Sequence, residues 1–200
     1  MNSTRVGFAL TGSFCTFEKV FEQMQELVNR GYDVIPILSY NAGHEENRFF
    51  TPAQIHQKLE EITGKKPLET LHEVEPIGPK KMTDVYVIAP ATGNTLGKMA
   101  NCIYDTPVLL GAKSHLRNGR PVVIAVSTND GLSMSAANIG RLLGMSNLYF
   151  VPYGQDDPYN KPRSLVAHFD KIPQTIASAL AGVQIQPMLL MAEEEKTVKH

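Results

Sequence analysis

The sequence of 200 residues predicts an α/β fold of three layers, a parallel sheet with helices on both faces. Short apolar runs rich in Val, Ile and Phe alternate with longer stretches whose apolar residues recur at helical spacing. Small polar residues follow four of these runs, as expected where a strand leads into a helix. Alternation of this kind predicts β–α–β units, which place successive strands parallel to one another.

The composition is typical of one globular domain. Hydrophobic residues make up 42% of the chain and charged residues 20%, which is enough apolar material for a core. The net charge of -1 predicts no footprint for nucleic acid or an anionic membrane. No apolar run approaches the ~20 residues that span a bilayer. The N-terminus lacks a signal-peptide pattern, so we expect a cytoplasmic protein with one domain over residues 1–190 and a flexible tail over residues 191–200.

The first half of the chain predicts two strands, each followed by a helix. The strands cover Arg5–Leu10 and Asp33–Leu38, and the helices cover residues 17–28 and 51–63. Gly31 is expected to end the first helix, and Thr51 and Pro52 to begin the second as N-cap and first residue. Residues 40–50 are polar and turn-rich, which favours a mobile loop.

The second half predicts three more strands. They cover residues 85–89, 122–126 and 148–151, with helices over residues 96–103, 108–117, 136–143 and 172–180. Pro90 is expected to end the first of these strands. Residues 65–83 show little periodicity and predict only a short helix over residues 68–74. Residues 152–163 are rich in turn-forming residues.

Four polar loops follow predicted strands, at residues 11–13, 39–41, 91–95 and 127–131. Because the carboxyl ends of parallel strands share one edge of a sheet, we expect these loops to meet there. Their N–H and hydroxyl donors suit a phosphate-bearing cofactor, and the helix start after residues 91–95 is a favourable seat for an anion. An ordinary capped turn explains residues 91–95 equally well. The sequence lacks the dinucleotide-binding and Walker patterns, which favours FMN over NAD or ATP.

Several stretches resemble the flavin-dependent cysteine decarboxylase superfamily, whose members bind FMN on a flavodoxin-like fold. The superfamily-wide stretches are LTGSFCTFE at residues 10–18 and PATGNTLGKMAN at residues 90–101. Three others resemble a sporulation branch of the superfamily: RPVVIAVSTNDGLS at residues 120–133, PYGQDDPYNKP at residues 152–162 and IPQTI at residues 172–176. Together they are distributed over most of the chain, from residue 10 to residue 176.

The resemblance implies cofactor contacts from all four polar loops. These are Gly12, Ser13 and Phe14 on the phosphate side, Ser39 near the ribityl chain, Thr92, Asn94 and Thr95 at the central loop, and Ser127, Thr128 and Asn129 closing the pocket. The resemblance also implies a dicarboxylate substrate, which needs cationic or donor-rich partners. Asn94 is therefore a candidate for substrate binding, as are the cations Arg48, Lys161 and Arg163. Solvated surface charge is the simpler explanation of these cations. No catalytic acid or base is assigned.

For the sporulation branch, the resemblance implies oxidation of a dihydro precursor to the aromatic pyridine-2,6-dicarboxylate. It also implies a homo-oligomer in the mother cell of a spore-forming bacterium, and a partner protein with a nicotinamide-binding fold. A flavin suits this reaction because it accepts a hydride while a base removes the second proton.

Three departures argue against the other reactions of the superfamily. Decarboxylase relatives carry a histidine where this chain has Pro76, and residues 127–132 lack their Pro-x-Met-Asn pattern. Prenyltransferase relatives use an arginine where this chain has Ser127. A non-redox flavoprotein nevertheless stays open as an alternative, as does a structural partner of the nicotinamide-binding protein.

The remaining chemistry-bearing residues have simple explanations. The six histidines show no metal-ligand spacing, so we expect no metal site. His44 is either an acid or base of the site or an ordinary loop histidine. Asp156 and Asp157 mark a turn more simply than a cation site. Cys15 and Cys102 are expected to be reduced thiols.

Overall fold

The computed structural model describes residues 3–191, and a twisted sheet runs through their centre. Its strands are β1 (Arg5–Leu10), β2 (Asp33–Leu38), β3 (Val85–Ala91), β4 (Val122–Thr128), β5 (Leu148–Phe150), β6 (Tyr153–Gly154) and β7 (Leu165–Ala167). The first five pair in parallel, in the order β2-β1-β3-β4-β5. This order is that of flavodoxin-like folds, so the predicted fold class is confirmed. The expected tail lies outside the described residues from residue 192 onward.

Helices cover both faces of the sheet. They are α1 (Phe17–Asn29), α2 (Tyr40–His44), α3 (Pro52–Thr63), α4 (Leu71–Val74), α5 (Gly93–Ala100), α6 (Pro107–Arg117), α7 (Ala136–Leu143) and α8 (Ile172–Leu180). On one face α1 and α8 contact each other and the central strands, and on the other α6 contacts β2, β3 and β4. The strands between them are buried almost completely, which explains their continuous apolar sequences. No helix of the described residues is long and apolar enough to cross a bilayer.

Strand β3 continues past Pro90, so the predicted end of this strand is wrong. The pairing of β3 with β4 shifts register between Ile88 and Ala91 and then resumes. Pro90 has no N–H to donate, and its carbonyl oxygen instead accepts a hydrogen bond from the Thr11 hydroxyl, at 2.6 Å. The irregularity therefore lies where β1 and β3 end side by side.

The polar segment after β2 is partly helical, which corrects the predicted loop over residues 40–50. Ser39 begins α2 as its N-cap, and its hydroxyl accepts a hydrogen bond from the backbone N–H of Ala42, at 3.2 Å. The helices predicted over residues 68–74 and 96–103 also differ in extent from the observed α4 and α5. Leu68 pairs with Ile37 as an isolated β-bridge outside α4, and Ile103 is 45% exposed beyond the end of α5.

An antiparallel extension of the sheet lies within and beyond the segment predicted as turns. β7 pairs with the carboxyl end of β4, Val166 opposite Ser127 and Leu165 opposite Thr128, and β6 pairs with β7. Strands of two and three residues are too short to give a periodic signal in the sequence. This extension holds the loop of residues 155–164 against the end of β4.

Candidate functional site

The crevice between β1 and β3 lies at the point where the order of the parallel strands reverses. In open α/β sheets, ligands bind at the carboxyl ends of the strands at such a point. The buried hydroxyl of Thr11 joins the two strand ends here, because it donates to the carbonyl oxygen of Pro90 and accepts from the backbone N–H of Thr92, at 3.2 Å. The loops after β1 and β3 are thereby held side by side.

The loop after β1 also meets the loop after β4. The hydroxyl oxygens of Ser13 and Ser127 lie 2.7 Å apart, at hydrogen-bond distance. Ser13 has a left-handed backbone, with φ 69° and ψ 47°, which side-chain-bearing residues rarely adopt. Ser127 is buried, with an exposed fraction of 3%. The structure therefore brings two predicted cofactor-binding residues from distant parts of the chain into contact.

The loop after β3 is capped by its own side chains. The Thr92 hydroxyl accepts from the N–H of Thr95, at 3.4 Å, and lies 3.1 Å from the Thr95 hydroxyl. Thr95 is buried, whereas Asn94 is exposed at the start of α5. The two threonines therefore shape the loop, and Asn94 is the side chain here that is open to a ligand.

A carboxylate that the sequence analysis did not single out faces the start of α5. A Cβ atom on Gly93 would lie 2.9 Å from Oδ1 of Asp130, 2.9 Å from the Thr128 hydroxyl and 2.7 Å from the Ser135 hydroxyl. The Thr128 hydroxyl donates a hydrogen bond to Oδ1 of Asp130. Asp130 is the one carboxylate in the four predicted loops, and that composition was the available signal.

Ser39 and Phe14 flank this edge. The N–H of Ser39 donates to the carbonyl oxygen of Leu10, at 3.0 Å, so the start of α2 lies beside the end of β1. The ring of Phe14 packs 5.1 Å from that of Phe17, which belongs to the apolar core. Phe14 is partly buried against this core, so part of its side chain and its backbone both lie at the edge.

The three predicted cations have different surroundings. Lys161 forms an ion pair with Asp156, at 3.2 Å. Burial opposes the ionisation of Asp156, but hydrogen bonds from Ser164 and Lys161 outweigh it and lower the pKa of the Asp156 carboxyl. The guanidinium of Arg48 lies 4.7 Å from the ring centroid of the adjacent Phe49.

Arg163 is the predicted cation that the fold fixes beside the loop after β4. Its carbonyl oxygen accepts a hydrogen bond from the N–H of Leu132, at 2.9 Å, and its side chain is exposed. Within residues 3–191 no acidic side chain pairs with it. Its charge therefore remains available to an anionic ligand.

The histidine of the segment after β2 is engaged elsewhere. Nε2 of His44 lies 3.5 Å from a carboxylate oxygen of Glu69, and the other oxygen of Glu69 is hydrogen-bonded to His56. This cluster joins α2 to α3, and the described chain holds no group of three His, Cys, Asp or Glu side chains arranged for a metal ion. The arrangement gives His44 a structural partner.

The chain is similar to known flavoproteins in sequence and in fold. The family model described as Flavoprotein matches residues 1–155. The chain is 46% identical to the B component of dipicolinate synthase from Bacillus subtilis (strain 168) over 190 residues, 95% of each chain. The structure of the same component from Bacillus halodurans C matches with 44% identity and a TM-score of 0.87, covering 96% of this chain and 100% of that one. The resemblance drawn from the sequence motifs is thereby confirmed.

A solved structure of the FMN-dependent cysteine decarboxylase SpaF is also similar. It matches with 19% identity and a TM-score of 0.64, over 88% of this chain and 97% of that one. At this level of identity, the likeness is one of fold.

Proposed function

The chain belongs to the Flavoprotein family, and from this premise we propose that it binds FMN at the carboxyl ends of β1, β3 and β4 and acts as the flavin-binding component of dipicolinate synthase. The identity of 46% over 95% of the chain carries this assignment. The hydroxyl-lined crevice at the reversal of strand order supports the place of the cofactor.

The residues of the crevice fit a phosphate and a polyhydroxyl chain. Gly12 brings its backbone close to the Thr92 side chain, since a Cβ on Gly12 would lie 3.3 Å from Cγ2 of Thr92. Backbone N–H groups of residues 12–14 and the hydroxyls of Ser13 and Ser127 would hold the phosphate. The start of α5 is less suited to the phosphate, because Asp130 already faces it.

The rest of the cofactor and the substrate would lie along the same edge. Ser39 and Asn94 would contact the ribityl chain or the substrate, Thr92 and Thr95 would shape the loop that holds them, and Thr128 and Asn129 would close the pocket. A bound flavin supplies a two-electron acceptor for oxidation of a dihydrodipicolinate-type compound to pyridine-2,6-dicarboxylate. The protein binds and orients both molecules and excludes water.

Arg163 is the strongest candidate among the cations for a carboxylate of this substrate. A guanidinium binds a carboxylate through two parallel hydrogen bonds. Lys161 is already neutralised by Asp156, and the hydrogen bond between them raises the pKa of the Lys161 ammonium. Arg48 is retained as a second candidate, on the segment that follows α2.

The proposal includes two kinds of partner. One is the nicotinamide-binding component of dipicolinate synthase, in the cytoplasm of the mother cell of a sporulating bacterium. The other is further copies of this chain, because the loop after β4 carries Leu132 and Met134, which are 51% and 83% exposed. Apolar side chains exposed beside a site are typical of surfaces that another chain covers.

Reconstitution of the reaction tests this function. Purified chain, with and without FMN and with and without the nicotinamide-binding component, is given dihydrodipicolinate, and the ultraviolet absorbance of dipicolinate is followed. We expect dipicolinate to form only when FMN is bound. A rate that is independent of FMN would favour a structural partner, and release of CO₂ without oxidation would favour the non-redox alternative.

A further inference from the structure

A single carboxylate stands among the hydroxyl and amide groups of the candidate site. Asp130 is the one acidic residue of the four predicted loops at residues 11–13, 39–41, 91–95 and 127–131. It is half-buried, and it belongs to none of the ion pairs within residues 3–191. The contacts proposed for the flavin and for the substrate carboxylates leave its role open.

The loop holds Asp130 in a fixed position. Its carbonyl oxygen accepts hydrogen bonds from the N–H groups of Ser133 and Ser135, at 2.9 and 3.2 Å. Its Oδ1 accepts from the Thr128 hydroxyl. No hydrogen bond to the other oxygen, Oδ2, comes from any residue of the described chain. One carboxylate oxygen is therefore anchored, and the other is available to a ligand.

The carboxylate is also close to the crevice. A Cβ atom on Gly93 would lie 2.9 Å from Oδ1 of Asp130. Gly93 follows Thr92, whose N–H donates a hydrogen bond to the Thr11 hydroxyl at the end of β1. Because Gly93 has no side chain, Oδ1 packs against the backbone at the start of α5. Asp130 thus adjoins the loop proposed to bind the cofactor and substrate.

We propose that Asp130 is the general base of the oxidation, an inference that rests on the proposed function. The dihydropyridine ring loses two hydrogens when it becomes aromatic. One leaves with its two electrons as a hydride to the bound flavin, the oxidant. The other leaves as a proton to Oδ2 of Asp130, and its bonding electron pair completes the aromatic ring. The protonated carboxyl then returns the proton to water.

Asp130 suits this step better than its neighbours. A base must be deprotonated at the pH of the reaction and lie within reach of the proton. The hydroxyls of Ser13, Thr92 and Ser127 are protonated at neutral pH, and His44 is engaged with Glu69. Within residues 11–13, 39–41, 91–95 and 127–131, Asp130 is the one carboxylate, and its Oδ2 accepts no hydrogen bond from the described chain.

The test compares Asp130→Asn with the unchanged protein, both loaded with FMN. Asparagine has the shape of aspartate, and its side-chain oxygen can still accept the hydrogen bond from the Thr128 hydroxyl. The affinity for FMN should therefore change by less than about threefold. The anaerobic rate of flavin reduction by dihydrodipicolinate should fall by about 100-fold to 10,000-fold. Asp157→Asn is the matched control, because Asp157 lies in the exposed turn before Asn160 and should leave the rate unchanged.

A second readout needs no flavin. In deuterated water, the apoprotein should catalyse exchange of the ring methylene protons of dihydrodipicolinate, measured by NMR, and Asp130→Asn should not. Asp130→Ala should regain exchange when formate is added, which a structural role would not produce.

The outcomes distinguish the role of Asp130 as the base from the proposed oxidation by the bound flavin. Exchange and flavin reduction at unchanged rates in Asp130→Asn would overturn the role of Asp130. Loss of FMN binding in Asp130→Asn, with no rescue of Asp130→Ala by formate, would overturn it as well. If proton exchange depends on Asp130 but the flavin is never reduced, Asp130 acts as a base and the proposed oxidation is wrong. If the unchanged protein shows neither exchange nor reduction, both claims fall.

Discussion

At the scale of single residues, the contact between Ser13 and Ser127 marks the place that we propose for the cofactor phosphate. The two hydroxyls, 2.7 Å apart, are the point at which the first and fourth loops meet. A hydrogen bond to a charged group contributes about 1.5–3 kcal/mol. If the phosphate lies here, each hydroxyl contributes a bond of that kind to binding.

Ser127→Ala should therefore weaken FMN binding by about tenfold to a hundredfold. Quenching of flavin fluorescence on titration measures the dissociation constant. Ser146→Ala is the matched control, since Ser146 lies in the turn before β5 and should bind FMN unchanged. Equal affinities for Ser127→Ala and the unchanged protein would place the phosphate elsewhere.

His115 governs part of the response to acid, at the opposite end of the sheet. It is only 1% exposed, its Nε2 is hydrogen-bonded to Thr83, and its Nδ1 has no partner in the described residues. Burial, with the positive charge of Arg120, lowers the pKa of His115 from 6.5 to about 4. Below pH 6.5 the unfolded chain therefore binds a proton that the folded chain does not.

Stability should consequently fall as the pH drops from 6.5 towards 4, and His115 should account for about 2 kcal/mol of the loss at pH 5. Urea unfolding at pH 7 and pH 5 measures this difference. In His115→Gln, the difference in the free energy of unfolding between pH 7 and pH 5 should shrink by about that amount. This holds even if the variant is less stable at both pH values. A difference that is the same in the variant would show that His115 does not titrate in this range.

Single-residue roles were only partly predictable from the sequence. The meeting of Ser13, Thr92 and Ser127 at one edge could be predicted because each follows a strand whose carboxyl end lies there, whereas their roles in binding stay a prediction. The position of Asp130 against Gly93 could not, because it depends on how the loop after β4 packs against the start of α5. The pairing of Lys161 with Asp156 likewise depends on a turn whose shape the sequence did not define.

At the scale of elements, the close approach between the start of α5 and the loop after β4 is a packing constraint. Gly93→Ala would place a methyl group 2.7 Å from the Ser135 hydroxyl and 2.9 Å from Oδ1 of Asp130. We expect a loss of about 1–3 kcal/mol in the free energy of unfolding, with weaker FMN binding, because the loop must move.

Gly140→Ala is the matched control for this change, measured by urea unfolding and FMN titration. Gly140 lies in α7 with nothing near its missing Cβ, so alanine should stabilise the protein by up to about 1 kcal/mol. If the two variants have the same stability and affinity, the contact between α5 and the loop after β4 does not constrain the site.

The main strands and helices were predictable, because each buries an apolar stripe or run of sufficient length. The failures have identifiable physical causes. The continuation of β3 through Pro90 depends on a shift in pairing with β4 that a single strand cannot reveal. α2 is one short turn of helix stabilised by the Ser39 cap, and β6 and β7 are stabilised by their partners in the sheet.

At the scale of the whole molecule, the segment after α8 completes the edge of the sheet. The Gln184 side chain accepts from the N–H of Phe150 and donates to its carbonyl oxygen, both at 2.7 Å, as a neighbouring strand would. Farther along, the N–H of Tyr153 donates to Met188 and its carbonyl oxygen accepts from Leu190. The segment therefore satisfies backbone groups of β5 and β6.

Gln184→Ala should lower the free energy of unfolding by about 1–3 kcal/mol, since it leaves two backbone groups of Phe150 without partners. FMN affinity should be unchanged, because β5 lies far from the crevice between β1 and β3. Gln174→Ala, on the exposed side of α8, is the control and should have little effect. Equal stability of the two variants in urea would mean that water replaces Gln184 without cost.

Oxidation of the substrate by the bound flavin can be measured by anaerobic titration of the FMN-loaded protein with dihydrodipicolinate. The visible flavin band and the absorbance of dipicolinate are recorded together, with and without the nicotinamide-binding component. We predict that the flavin band bleaches as dipicolinate forms, one molecule for each flavin reduced. A bound flavin that stays oxidised at every substrate concentration, with both components present, would show that this protein does not oxidise dihydrodipicolinate through its flavin.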